Sequence, residues 1–239
     1  ESHRLIEDFL LLANETIARS ASRAKLPFLY RVHERPDTDR LAQLREVVAT
    51  FGYRLSRRAE PSPKDLQTLL SRVQGRPEEN LVSTVVLRSM KQARYSAENV
   101  GHFGLAARHY THFTSPIRRY SDLVVHRLVG QFFIDGEALP EELGEETLPT
   151  IARQTSERER VAVEAERDSI DLKKVEFMER HLGDWFDGTV SGVTSFGLFV
   201  LLDRFFVEGL VHVSTLENDY YIYLEEQYAL VGEHRRRRF

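Results

Sequence analysis

The sequence predicts an α+β protein in two parts: a mainly helical portion over residues 1–182 and a small β-rich, barrel-like module over 183–239. Two observations predict it. As far as about residue 180, apolar residues recur at three- and four-residue spacings between capping residues and glycine stops, the period of helices with one buried face. From Gly183 the pattern changes to short runs of Val, Phe and Leu broken by Gly188, Gly192, Gly197 and Gly209, the punctuation of short strands and turns.

The opening segment carries Leu5, Ile6, Phe9, Leu12, Ala13 and Ile17 as a helical apolar series. "FLYRVH" at 28–33, ahead of a Pro-Asp turn, predicts a strand. Asp37 or Thr38 opens a second helix, with Leu41, Leu44, Val48 and Phe51 on one face and Gly52 as its stop. Ser62-Pro63 supplies a cap and first-turn proline for a third, carrying Leu66, Leu69, Leu70 and Val73 and stopped by Gly75. Pro77 starts a fourth, through Leu81, Val85 and Met90. "DGEALPEELGEE" at 135–146 reads as a solvated acidic loop. After Pro149 a long charged helix, with Ile151, Ala162, Ala165 and Leu172 inward, runs to about His181.

Composition excludes several classes. There is no cysteine, which removes disulfides and thiolate metal sites and points to a cytoplasmic protein. No run of about 18 apolar residues is present, so no membrane helix is expected. The net charge of -4 means that any nucleic-acid binding must come from local basic patches, of which "RRRR" at 235–238 is one. The chain starts at Glu1 without a methionine and stops at "HRRRRF", and we read it as a piece of a longer protein.

The chemistry concentrates in "HYTHFTSPIRRYSDLVVHR", residues 109–127. Ser115 reads as a helix cap, Pro116 as the first helical residue, and Ile117, Tyr120, Val124 and Leu128 as a buried stripe. Arg118 and Arg119 then fall in the first turn, where the helix dipole disfavours cations and favours an anion. An incoming phosphate would reverse that sign, and arginine grips phosphate through two donors. Asp122 and His126 follow Arg118 at four-residue spacing, so Asp122 is placed to orient Arg118. An internal Arg–Asp pair with no ligand accounts for the same spacing. His102, His109 and His112 straddle a loop rather than share one helical face, so they do not read as a metal cluster.

These residues carry a resemblance. "HFGLAARHYTHFTSPIRRYSDLVVHR", together with "ESHRLIEDFLLLAN" and "LRSMKQARYS" in the same order, resembles the RNase R/RNase II (RNB) family of processive 3'-to-5' exoribonucleases over residues 1 to about 180. "FDGTVSGVTSFGLFVLLDRFFVEGLVHVSTLENDYY" looks like the ribosomal S-one-type OB-fold that follows the catalytic domain in that family, and the whole is most similar to its bacterial RNase R branch. The resemblance implies Mg²⁺-dependent hydrolysis of single-stranded RNA to nucleoside 5'-monophosphates. Arg118 would hold the scissile phosphate. Arg119 would take a neighbouring phosphate or the domain surface, and Ser115 and Tyr120 belong to the same RNA-binding element. Glu7 and Asn14 would line the RNA channel, and Glu166 approximates a position near the active site. Phe196, Phe199 and His212 match positions whose rings stack on bases.

One departure matters. The family's aspartate cluster for the metal is absent, no Asp-x-Asp-Asp occurs, and Asp37 and Asp39 sit in a turn. The Mg²⁺ ligands are therefore expected upstream of Glu1, in a part with which this chain would associate. The OB module is expected to be incomplete, with roughly three of its five strands. A monomer with no membrane association is expected. The competing reading is a non-catalytic RNB-like RNA-binding or regulatory protein.

Overall fold

The structure is a computed structural model and describes residues 2–55, 61–136, 143–144, 146–217, 219–224 and 229–239. It divides into two compact units, residues 1–36 with 90–167 and residues 37–89 with 168–239.

The first unit is built from α1 (Ser2–Arg23), β1 (Tyr30–Val32), β2 (Arg94–Ser96), α5 (Tyr120–Val129) and the first half of α6 (Leu148–Met178). β1 and β2 pair antiparallel with Arg31 opposite Tyr95. Ala18 and Ala21 of α1, Phe28, Leu29 and Val32 around β1, Val124, Val125 and Leu128 of α5, and Leu148 and Ala152 of α6 make one buried core. The sequence series on α1 is corrected here. The face it buries is Asn14, Ala18 and Ala21, while Leu5, Ile6, Phe9 and Leu12 are exposed. Ala18 and Ala21 enter the common core as small side chains, and large ones at those positions would overpack it.

The second unit holds α2 (Thr38–Thr50), α3 (Pro63–Val73), α4 (Glu79–Ser89), the second half of α6 and five strands. α3 starts as its sequence predicts. The Ser62 hydroxyl accepts from the Asp65 N–H and the Asp65 carboxylate accepts from the Ser62 N–H, a reciprocal capping box with Pro63 at the first helical position. α2 buries Leu41, Leu44, Val47 and Val48, whereas Phe51 lies past its end and is exposed. α6 is as long as expected, but its inward face stops at Ser156. Ala162, Ala165 and Leu172 are exposed, as are Val161, Val163 and Ile170 around them, because no described element packs over this stretch of the helix.

The β-rich module contains β3 (Gly188–Thr194), β4 (Gly197–Leu202), β5 (Glu208–His212), β6 (Tyr221–Leu224) and β7 (Ala229–Gly232). β3, β4 and β5 form one antiparallel sheet, with a bulge between Val190 and Gly192, and β6 pairs with β7. Five strands are therefore present where about three were expected. The two sheets do not close into a hydrogen-bonded barrel among the described residues. Leu198, Tyr221 and Leu230 form the module's buried centre. Of the acidic loop at 135–146, residues 137–142 and 145 lie outside the described residues, and Leu143 is buried.

Candidate nucleic-acid interface

The segment that carries the two arginines is not a helix start. α5 begins at Tyr120 with Arg119 as its cap residue, four residues later than Ser115-Pro116 suggests. The Ser115 carbonyl accepts from the N–H groups of Arg118 and Arg119, so residues 115–119 form tight turns. Ile117 is fully exposed and Tyr120 is 56% exposed, so neither belongs to the buried stripe; Val124 and Leu128 do.

The reason lies at Asp122. Its carboxylate is completely buried and accepts from the Ser115 N–H at 2.8 Å, from Arg119 Nη2 at 2.8 Å and from the Ser121 hydroxyl at 3.1 Å. A buried charge must be paired and hydrogen-bonded, and drawing Ser115 onto Asp122 satisfies that at the cost of the first helical turn. The pairing is thus Arg119–Asp122 at three-residue spacing, not Arg118–Asp122.

The rest of the segment is pinned by other elements. Asn14 is buried; its Nδ2 donates to Tyr110 Oη at 3.1 Å and its Oδ1 accepts from the Phe113 N–H at 2.9 Å. It holds the segment from within, and its amide has no surface to offer a channel. Thr111 Oγ1 donates to the Leu29 carbonyl, and His126 Nε2 donates to the Phe113 carbonyl while stacking on that ring at 4.1 Å. An irregular segment tied at so many points presents its arginines from a fixed backbone.

Tyr95 faces this segment. Its hydroxyl is 2.8 Å from His112 Nδ1, and the Arg31 guanidinium lies 4.7 Å over its ring. Arg31 is itself paired with Glu159 of α6 at 2.5 Å. Burial, reinforced by Arg119 and Arg31, lowers the His112 pKa to about 3, so the ring stays neutral at working pH. Burial also lowers His102 to about 4, with His33 and Arg31 as lesser causes, and raises the Tyr95 phenol. His33, His102, Tyr110, His112 and Tyr95 follow one another in ring contact, from the 5.2 Å stack of His33 on His102 onward. Among the described residues no three His, Asp or Glu side chains converge on a metal position. The described residues therefore supply no ligand set that fits a Mg²⁺ site.

Charge accounting then singles out Arg118. A cleft of about 770 Å³ opens between residues 118–121 and α6, lined by the Tyr95 ring, Arg118, Arg119, Tyr120, Arg158 and Glu159 among others. Asp122 neutralises Arg119 and Glu159 neutralises Arg31. Among the described residues no side-chain partner is recorded for Arg118, which is exposed, or for Arg158. The buried Arg119 Nε also lacks a partner. Glu166 is exposed, one helical turn beyond Ala162 on the stripe that lines this cleft. Glu7 is exposed on α1. Tyr95, Arg31, Glu159 and Arg158 were not singled out by the sequence.

In the β-rich module the register settles which rings share a face. Phe199 pairs with Leu210 and Gly197 with His212, so Phe199, Leu210 and His212 point to one side and Leu198 and Val211 to the other. Phe199 is half-buried and Phe196, 47% exposed, meets it edge-on at 6.1 Å. Of the two glycines beside this face, only Gly197 leaves no space for a side chain. A Cβ at Gly192 would touch the Phe199 ring at 3.6 Å, and one at Gly197 would run into the Val211 carbonyl. His212 is exposed, with Nδ1 accepting from the Ser214 N–H, which fixes its ring plane.

With that geometry in hand, similarity to known proteins is specific. The RNB domain family matches residues 1–135 and the S1 RNA binding domain matches residues 180–236. Ribonuclease R 1 of Lactococcus lactis is 48% identical over 235 residues, covering 97% of this chain and 28% of the relative; Ribonuclease R of Aquifex aeolicus is 46% identical, covering 97% and 33%. The structure of Mycoplasma genitalium RNase R in complex with ribose methylated single-stranded RNA matches with a TM-score of 0.90 at 29% identity, covering 98% of this chain and 37% of that one. The chain thus spans about a third or less of the length of the curated relatives it matches. On these matches, the chain belongs to the RNB family, with an S1 RNA binding domain toward its end.

Proposed function

We propose that this chain is the phosphate-gripping and RNA-guiding part of a processive 3'-to-5' hydrolytic exoribonuclease that degrades single-stranded RNA to nucleoside 5'-monophosphates in the cytoplasm. The observation that carries the reading is Arg118, exposed in the cleft on a rigid segment with no side-chain partner among the described residues, next to Arg119, which Asp122 already engages. An exposed guanidinium with no carboxylate partner beside it keeps its donors available to an incoming anion, and a backbone phosphate is the anion it fits best. As charge develops on the phosphate oxygens the contact strengthens, which is how a fixed donor lowers a barrier. Arg119, held by Asp122, positions the turn, and the exposed part of its side chain is proposed to meet a neighbouring phosphate. Ser115 and Tyr120 shape the same approach, and Glu166 stands near it on α6.

Glu7 is proposed to reach a ribose hydroxyl. Phe199 and His212, with Phe196 at the edge, are proposed as a stacking platform for bases, which binds strands without reading sequence. The RNA complex of the Mycoplasma relative supports an RNA substrate. We place the boundary between the RNB portion and the OB-fold module at 182/183, and take the protein as a monomer. The Mg²⁺ of the resemblance would draw its ligands from outside the described residues, and no step here is assigned to it.

The test is product analysis. The intact protein, given a 5'-labelled oligo(A) with Mg²⁺, should release nucleoside 5'-monophosphates progressively from the 3' end. Binding of the oligonucleotide with no cleavage under any divalent metal would establish the non-catalytic reading instead.

A further inference from the structure

α6 separates two clefts, and only one of them belongs to the site above. On the other side of the helix a cleft of about 500 Å³ lies between residues 92–98 and the face of α6 that carries Ala152, Arg153, Ser156 and Arg160. Its floor is sealed and neutral. The Ser156 hydroxyl accepts from the Tyr95 N–H at 2.9 Å and donates to the Ala152 carbonyl at 2.7 Å, so neither group asks for a ligand. Its walls are cationic, formed by Arg94, Arg153 and Arg160.

The state of those arginines is what points to a ligand. Arg94 is engaged by Glu34 at 2.7 Å. Arg153 and Arg160 have no recorded side-chain partner among the described residues, although Glu157 and Glu164 stand four residues beyond them, at the spacing that stabilises helical ion pairs. Elsewhere α6 does use such local pairs, Lys173 with Glu176 and Lys174 with Asp171. Seven residues apart, Arg153 and Arg160 project from one face with roughly 10 Å between their backbones, a span two long side chains close around a single anionic group. The only carboxylate in the lining, Glu98, is exposed at the rim.

We infer that this cleft is a second phosphate site, which takes the phosphate group of a nucleotide between Arg153 and Arg160. Its volume lies in the range of small-molecule pockets and suits one nucleotide rather than a folded nucleic acid. The phosphate could arrive on a free mononucleotide or at the end of a strand, and the two sources are separable. The inference does not rest on the exoribonuclease reading, since it needs neither Arg118 nor cleavage.

The test uses the ¹⁵N-labelled chain carrying Arg118→Ala, so that the first cleft is muted. Inorganic phosphate, AMP and a 5'-phosphorylated tetranucleotide are titrated separately, following the amides of residues 92–98 and 152–160. Phosphate and AMP should shift these amides in a saturable way. Arg153→Ala/Arg160→Ala should weaken AMP roughly tenfold or more, as expected when charge-assisted contacts are lost, with unchanged circular dichroism because alanine favours the helix. A tetranucleotide that binds more tightly than AMP would assign the site to strand ends, and the reverse order to the free nucleotide. Amides that stay silent at tens of millimolar phosphate, or that shift equally in the double variant, would overturn the site.

Discussion

Replacing Asp122 by alanine should loosen the arginine-bearing segment more than any other single change. The carboxylate is fully buried and serves three donors, the Ser115 N–H, the Arg119 guanidinium and the Ser121 hydroxyl. Breaking a buried ion pair by removing one partner costs about 3–5 kcal/mol. Arg119 retains 24% exposure and water will recover part of that, so we take about 3 kcal/mol. For a chain of this length that lowers Tm by roughly 6–12 °C. The assay is thermal unfolding of Asp122→Ala and Arg119→Ala, singly and together, with amide exchange followed over residues 113–119. Asp122→Ala should be the worse single variant, because it also orphans the Ser115 N–H, and the double variant should fall well short of the sum of the two losses. A Tm within about 2 °C of the parent, or additive losses, would refute the claim that Asp122 organises this segment.

Phe199→Ala should weaken binding of single-stranded RNA by about 1–3 kcal/mol on the stacking scale. Leu198→Ala, on the opposite face, should instead cost about 2–5 kcal/mol of stability, and fluorescence titration beside a melt separates the two. Stability should fall with acidity below pH 6.5. His112 and His102 are held neutral by burial, at about 3 and about 4, while in the unfolded chain they take up protons near 6.5. Each contributes a slope of up to ~1.4 kcal/mol per pH unit, so His112→Gln should flatten chemical-denaturation stability between pH 6.5 and 5; an unchanged slope would contradict the assignment. Gly197→Ala should unfold the β-rich module, because the added Cβ meets the Val211 carbonyl and β5 cannot stay paired. Native circular dichroism with normal melting would contradict that.

What the sequence made legible was local. Ser62-Pro63 specified a capped helix because every group involved lies within four residues, and the switch to short strands after Gly183 was visible in glycine spacing alone. Ser115-Pro116 carried the same helix-start signal and misled, because the buried Asp122 carboxylate draws in the Ser115 N–H and the Arg119 guanidinium while residues 115–119 turn tightly instead. The partner of Asp122 was misassigned by one residue for the same reason. Arg31 and Glu159 are 128 positions apart, and nothing in either neighbourhood announces the pair. On α1 the larger side chains suggested the buried face, whereas close packing selected the alanines. The shared face of Phe199 and His212 needed the strand register, which a glycine-rich sequence with a bulge does not fix.

The measurement that bears most directly on the account is single-turnover cleavage of a short oligo(A) by Arg118→Ala in the intact protein, beside equilibrium binding of the same RNA. An unpaired guanidinium that meets charge developing on the phosphate predicts a cleavage rate lower by roughly 10²–10³, with affinity changed only a few-fold. A variant that binds RNA tenfold more weakly yet cleaves at the parental rate would contradict it.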